Sequence, residues 1–272
     1  MQCSIRVRRA PAAAGMVLAL FLGTCLVNGT AAAAVGSKAG APAVPGVRVA
    51  AAQAFGPAGG MVLAPKLVKR RSPVWAAYVA TGLVHQLTSV SASWVVPKLK
   101  CSSTGTSYVA NFVAFDGFHT ASDMDLAGTL AACVKGHATY VSAYEFYPLG
   151  IIDGFTLSAG DTVTASATYA ASKITLKVTD KLGHSLTHAN TAGASARNSA
   201  EILVAAPSQS GTILPLADFQ KVTFTSCHVN GKALGSYRTQ AVVELVMGLT
   251  TVKATPGNLT GGTSFPVTWN HS

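Results

Sequence analysis

Charge is scarce in this chain, and acid is the scarcer sign: of 272 residues, 10 are Asp or Glu against 20 Lys or Arg. The imbalance is local. Up to Arg71 there are nine Lys/Arg and no carboxylate, whereas from Ser72 onward eleven bases face all ten acids. The formal +10 therefore belongs to the leader, and the nearly neutral body lacks the basic face that nucleic-acid binding requires. So few carboxylates leave little to neutralise as pH falls, which suits work in acid. Cysteine is sparse too, with five in all, no C-x-x-C and no Cys/His spacing of the metal-binding kind. No G-x-S-x-G is present, which argues against serine hydrolysis. No window sustains a helical period, and there is no internal repeat.

What is present begins with a secretory leader. Arg6, Arg8 and Arg9 precede an apolar run over residues 14–22 and the small residues 31–34, so residues 1–34 read as a signal peptide. The run is short of the about 20 residues that a membrane anchor needs. Residues 35–71, rich in Ala, Gly, Pro and Val, read as a propeptide or flexible linker. It closes on Lys69-Arg70-Arg71, either a processing site or a solvated charge cluster. Residues 72–272 form the folded domain. The expectation is a secreted, extracellular protein, free of the membrane once the signal is removed, and a monomer. Three cysteines remain after the signal leaves, so one pair plus one free thiol, or an intermolecular bond, is implied. The expected pair is Cys101–Cys133, with Cys227 a small buried residue.

From Ser72 the texture is short β-type runs. Residues 94–96, 108–115, 162–169, 173–179, 201–204, 221–225, 241–246 and 264–269 are rich in β-branched and aromatic residues, several alternating at period two. Turn signals such as Asp116-Gly117, Gly160-Asp161 and Asn230-Gly231 separate them. Many short strands in about 200 residues mean an all-β sandwich or barrel. His184 and His188 stand four apart, a metal-pair spacing on a helix, but their region alternates like a strand and no third ligand is apparent.

Several segments, taken in order, carry a resemblance. They are Val74-Trp75-Ala76-Ala77-Tyr78-Val79, Ser93-Trp94-Val95-Val96-Pro97, Phe115-Asp116-Gly117, Tyr144-Glu145-Phe146-Tyr147-Pro148, Ser199-Ala200-Glu201, Leu214-Pro215-Leu216-Ala217-Asp218-Phe219 and Lys253-Ala254-Thr255-Pro256. Together they cover residues 74–272, which closely resemble the eqolisin, or glutamic peptidase, family. The resemblance implies a concanavalin A-like sandwich of two large antiparallel sheets, acid endopeptidase activity on protein or peptide substrates, and no metal or cofactor. It also implies a glutamate that activates water and a glutamine amide that donates to the developing oxyanion. A carboxylate in reach must take the proton from water, a poor nucleophile. A fixed donor at the oxyanion contributes about 3–4 kcal/mol.

By this resemblance the catalytic glutamate is Glu201, and the glutamine position is Leu126, which has no donor. Asp116, Tyr144 and Glu145 match residues of the substrate cleft. Asp123 and Asp125 lie at odd offsets from Leu126, hence on the opposite face of a strand. Phe112, Ala143, Ile202 and Ala205 also depart from the family pattern, mostly towards smaller or apolar groups. Two functions follow: a peptidase, active or silenced by the loss at Leu126, or a non-catalytic sandwich that binds peptide or glycan.

Overall fold

The computed structural model describes residues 68–272 except 120–123, 148, 194, 210–211, 237–241 and 249. The expected signal peptide and nearly all of the expected propeptide lie outside the described residues. In chain order the strands are β1 (Val68–Ser72), β2 (Trp75–Thr81), β3 (Ser89–Val95), β4 (Thr106–Phe115), β5 (Asp125–Val134), β6 (His137–Phe146), β7 (Ile152–Thr156), β8 (Thr162–Ala170) and β9 (Lys173–Asp180). They continue as β10 (Ser185–Thr191), β11 (Ser199–Ala205), β12 (Ser208–Gln209), β13 (Thr212–Ile213), β14 (Lys221–Val229), β15 (Lys232–Ala233), β16 (Val242–Met247), β17 (Ala254–Pro256) and β18 (Phe265–Trp269). A single 3-10 turn, Leu234–Ser236, is the helical element among the described residues.

The strands build two large antiparallel sheets, as expected. One runs β10-β9-β8-β3-β14-β18-β17, the other β16-β2-β11-β4-β5-β6-β7, and a bridge at Met247–Ala254 joins them at one edge. Strand β1 adds in parallel beside β16, so pairing begins at Val68, four residues upstream of the expected domain start. The Arg71 guanidinium donates to the Gly248 carbonyl at 3.0 Å there.

The first sheet shows why alternation was so legible. In β8 and β9 every second residue (Val163, Ala165, Ala167; Ile174, Leu176, Val178) is buried, while the intervening Thr, Ser and Lys face water. The inward residues meet Tyr78, Val113 and Phe115 from the second sheet. Aromatic rings fix this core: Trp94 stands edge-on to Phe224 at 5.4 Å, Phe224 lies 5.2 Å from Phe265, and Phe265 4.6 Å from Tyr78. The Trp94 indole donates to Thr129 Oγ1 at 3.3 Å.

The expected Cys101–Cys133 disulfide is present, tying β5 to the segment before β4 across 32 residues. Cys227 is free and buried, its thiol pushed up to about 12 by desolvation. The second sheet differs from the first in one decisive way. In its strands β2, β11, β4 and β5 both faces are buried, one against the other sheet and one in a separate apolar cluster that contains Leu126.

Candidate functional site

Strand register brings the expected catalytic positions together. Glu201 pairs with Ala114, Ala114 with Leu126, and Leu126 with Glu145. Side chains directly opposite on neighbouring strands share a face, so these four form one row across β11, β4, β5 and β6. At about 4.8 Å per strand, Glu201 and Leu126 stand roughly 10 Å apart at the backbone. Two long side chains leaning inward over the small Ala114 could clasp a reacting carbonyl there. Ala114 was not singled out from sequence; its signal would have been a residue too small to block the gap between its neighbours.

The chemistry that this row can perform is limited. Leu126 is wholly buried and offers no donor. Tyr144 cannot replace it, because it belongs to the opposite face: it packs in the inter-sheet core and stacks on His188 at 4.2 Å, nearly parallel. Asp125 also alternates away from Leu126, opposite Phe115 and Phe146 of that same core. The backbone of β5 is spent on ladders to β4 and β6.

Glu201 is 0 % exposed, and neither carboxyl oxygen has a hydrogen-bond partner among the described residues. Burial raises its pKa well above the ordinary carboxyl value. The nearby Ser199 hydroxyl pulls the other way, and the Asp116 charge adds to the rise. Such a carboxyl is neutral in acid, where a general base must be ionised. Glu145 is similarly placed: 1 % exposed, Oε2 unpartnered, its pKa pushed up to about 8 by burial first and by Asp125 second.

The space above the row is filled. Trp75, Phe118, Met124, Leu126, Leu130 and Leu203 pack as one buried cluster on this face. Gly117, at φ 96°, is what lets the Trp75 ring and Met124 close in, since a Cβ there would sit 3.0 Å from each. One row down, Phe112 lies against Gly128, where any Cβ would collide with the ring and with the Asn111 carbonyl.

Asp116 serves this architecture through its carboxylate. It accepts from the Ser195 hydroxyl at 2.7 Å and from the backbone N–H groups of Arg197 and Asn198 at 2.9 and 3.0 Å. It thereby holds the entry to β11, and hence Glu201, in register. Arg197 turns its guanidinium onto the Tyr169 ring, 3.4 Å from the centroid. His184 is occupied by Asp180 at 2.7 Å and His188 by Tyr144, and no group of His, Cys, Asp and Glu suited to a metal occurs among the described residues.

Comparison with known proteins agrees with this architecture. The Peptidase A4 family matches residues 73–269. The fold resembles scytalidoglutamic peptidase, solved with a peptide-based transition state analog, at 21% identity and a TM-score of 0.60 over 73% of this chain and 98% of that one. It resembles SCP-B, an eqolisin solved with the tripeptide Ala-Ile-His, at 19% identity and a TM-score of 0.57 over 73% and 98%. Aspergilloglutamic peptidase from Aspergillus niger follows at 23% identity and a TM-score of 0.53, over 60% of this chain and 99% of that one. No curated protein matches. The match spans well over half of the chain and the sheets have the eqolisin arrangement, so this protein belongs to the Peptidase A4 family and is of peptidase type.

Proposed function

We propose that this chain is a secreted, non-hydrolysing member of its family, in which the peptidase cleft has become a second hydrophobic core. One observation carries the reading: Glu201 shares its row with Leu126, which offers no donor, and is sealed from water. A hydrolase of this design needs an ionised carboxylate touching water and a donor at the oxyanion. Here the carboxylate is neutral in acid and shielded, and the donor position is aliphatic. A lost oxyanion donor alone costs roughly 10²–10³ in rate; loss of access for water compounds it.

The test is proteolysis of denatured casein by the secreted chain across pH 2–7, beside Glu201→Gln and Leu126→Gln, with folding checked by circular dichroism. The expected result is no cleavage by the folded parent at any pH. Parent activity that vanishes in Glu201→Gln would overturn the reading and establish an acid endopeptidase with an unrecognised donor.

A further inference from the structure

On the other side of the sandwich, the outer face of the first sheet, a groove of about 620 Å³ opens where β3 ends. Val95, Lys98, Thr162, Lys221, Thr223 and Thr225 line it. A second groove of about 320 Å³ shares Ala159 with it, is walled by β6 and β7 of the other sheet, and adds the hydroxyls of Thr156 and Ser158, the Thr139 hydroxyl being buried. The acid next to both grooves, Asp161, lies between the lining residues Gly160 and Thr162, and its carboxylate accepts from the Ser158 N–H at 2.7 Å. Lys98 and Lys221 are exposed, and no described acid pairs with either.

The backbone around the grooves is already spent. The Val96 N–H donates to the Asp161 carbonyl at 2.8 Å, and the Gly160 N–H donates to the Val96 carbonyl at 2.9 Å. The Lys98 carbonyl accepts from Gln220 Nε2 at 3.1 Å, and the Ser93 carbonyl from Thr225 Oγ1 at 3.2 Å. In the first groove β3 lies between β8 and β14, and β14 between β3 and β18, so a peptide finds no open ladder to extend there, which is how an extended peptide ordinarily docks on a sheet. What remains for recognition is a set of threonine and serine hydroxyls with two ammonium groups among them. The complementary partner is an extended polymer rich in hydroxyls and carrying anions.

We propose that this double groove binds an acidic polysaccharide, with carboxylates paired to Lys98 and Lys221 and sugar hydroxyls bonded to Thr162, Thr223 and Thr225. Trp94 is turned inward to Thr129 and supplies no stacking platform. Binding is accordingly electrostatic, weak per sugar and sensitive to salt. The site is independent of the Glu201 face, so it stands whether or not that face cleaves peptides.

The probes are an oligogalacturonate, a neutral xylo-oligosaccharide of equal length and polyglutamate, titrated calorimetrically against the secreted chain. Oligogalacturonate binds; Lys98→Gln and Lys221→Gln each weaken it roughly three- to fivefold. The double variant and about 0.5 M salt remove most of the binding. Thr223→Val weakens it further, and Lys232→Gln, in β15 opposite Val229 at the far end of β14, leaves it unchanged. All these side chains are on the surface, and circular dichroism confirms that the variants fold. The proposal is overturned if oligogalacturonate fails to bind, if the double variant binds as the parent does, or if the neutral sugar binds equally well. It is also overturned if polyglutamate binds as tightly with the same losses, since charge alone would then explain the site.

Discussion

Replacing Glu145 by glutamine should flatten the pH dependence of stability. In the folded protein this carboxyl is buried beside Asp125 and holds its proton to about pH 8, against 4.5 for the unperturbed group. Between these values the native state keeps a proton that the unfolded chain has released. Stability is therefore full below about pH 4.5, falls as pH rises, and has lost the whole contribution above about pH 8. At about 1.4 kcal/mol per pH unit, Glu145 alone removes about 3 kcal/mol between pH 4.5 and 7. Glu201, raised for the same chief reason, acts in the same direction. For a domain of this size 3 kcal/mol corresponds to roughly 6–12 °C in Tm. Urea unfolding followed by tryptophan fluorescence at pH 4, 5.5, 7 and 8 measures the effect. Glu145→Gln should lose about 3 kcal/mol less than the parent between pH 4 and 7. Asp125→Asn, which removes the second cause, should lie between the two. Parallel profiles for parent and Glu145→Gln would refute the idea that a buried, proton-bearing carboxyl occupies this face.

Two further outcomes test the scaffold. Reducing Cys101–Cys133, or replacing both residues by serine, should cost about 3–4 kcal/mol for a loop of this length, read as a lower urea midpoint. Asp116→Ala strands the Ser195 hydroxyl and two backbone N–H groups, so it should cost about 2–4 kcal/mol and speed amide hydrogen exchange at Arg197 and Asn198, with Asp116→Asn milder.

The legibility of this fold varies strand by strand, for a physical reason. Strands β8 and β9 announced themselves because one face is wet, so Thr, Ser and Lys alternate with Val, Ile and Leu. Strands β5 and β6 carry no such signature: in β5, for example, Leu126 and Ala127 are both fully buried, on opposite faces. A strand buried on two sides loses its period and reads as an Ala- and Gly-rich stretch. The row of Glu201 and Leu126 was reachable from family resemblance. Two of its features were not. The small Ala114 between them is meaningful only once register is known. The closing of the cleft by Trp75, Phe118 and Met124 depends on contacts between segments distant in sequence, and on Gly117 making room for two of them.

The presence of Glu201 in an apolar face also has a physical account. An ionised carboxylate buried without a partner is strongly destabilising, and ordinarily the group protonates instead. In acid, protonation is nearly free, because the unfolded chain also holds most of its carboxyl protons there. A buried glutamate in such a medium behaves as a neutral polar side chain, costing only its unmade hydrogen bonds, about 1–3 kcal/mol. Glu201 and Glu145 are thus least costly to the fold below the pH at which they ionise. Leu126 needs no such protection, since an aliphatic side chain in the apolar cluster of this face carries no charge at any pH.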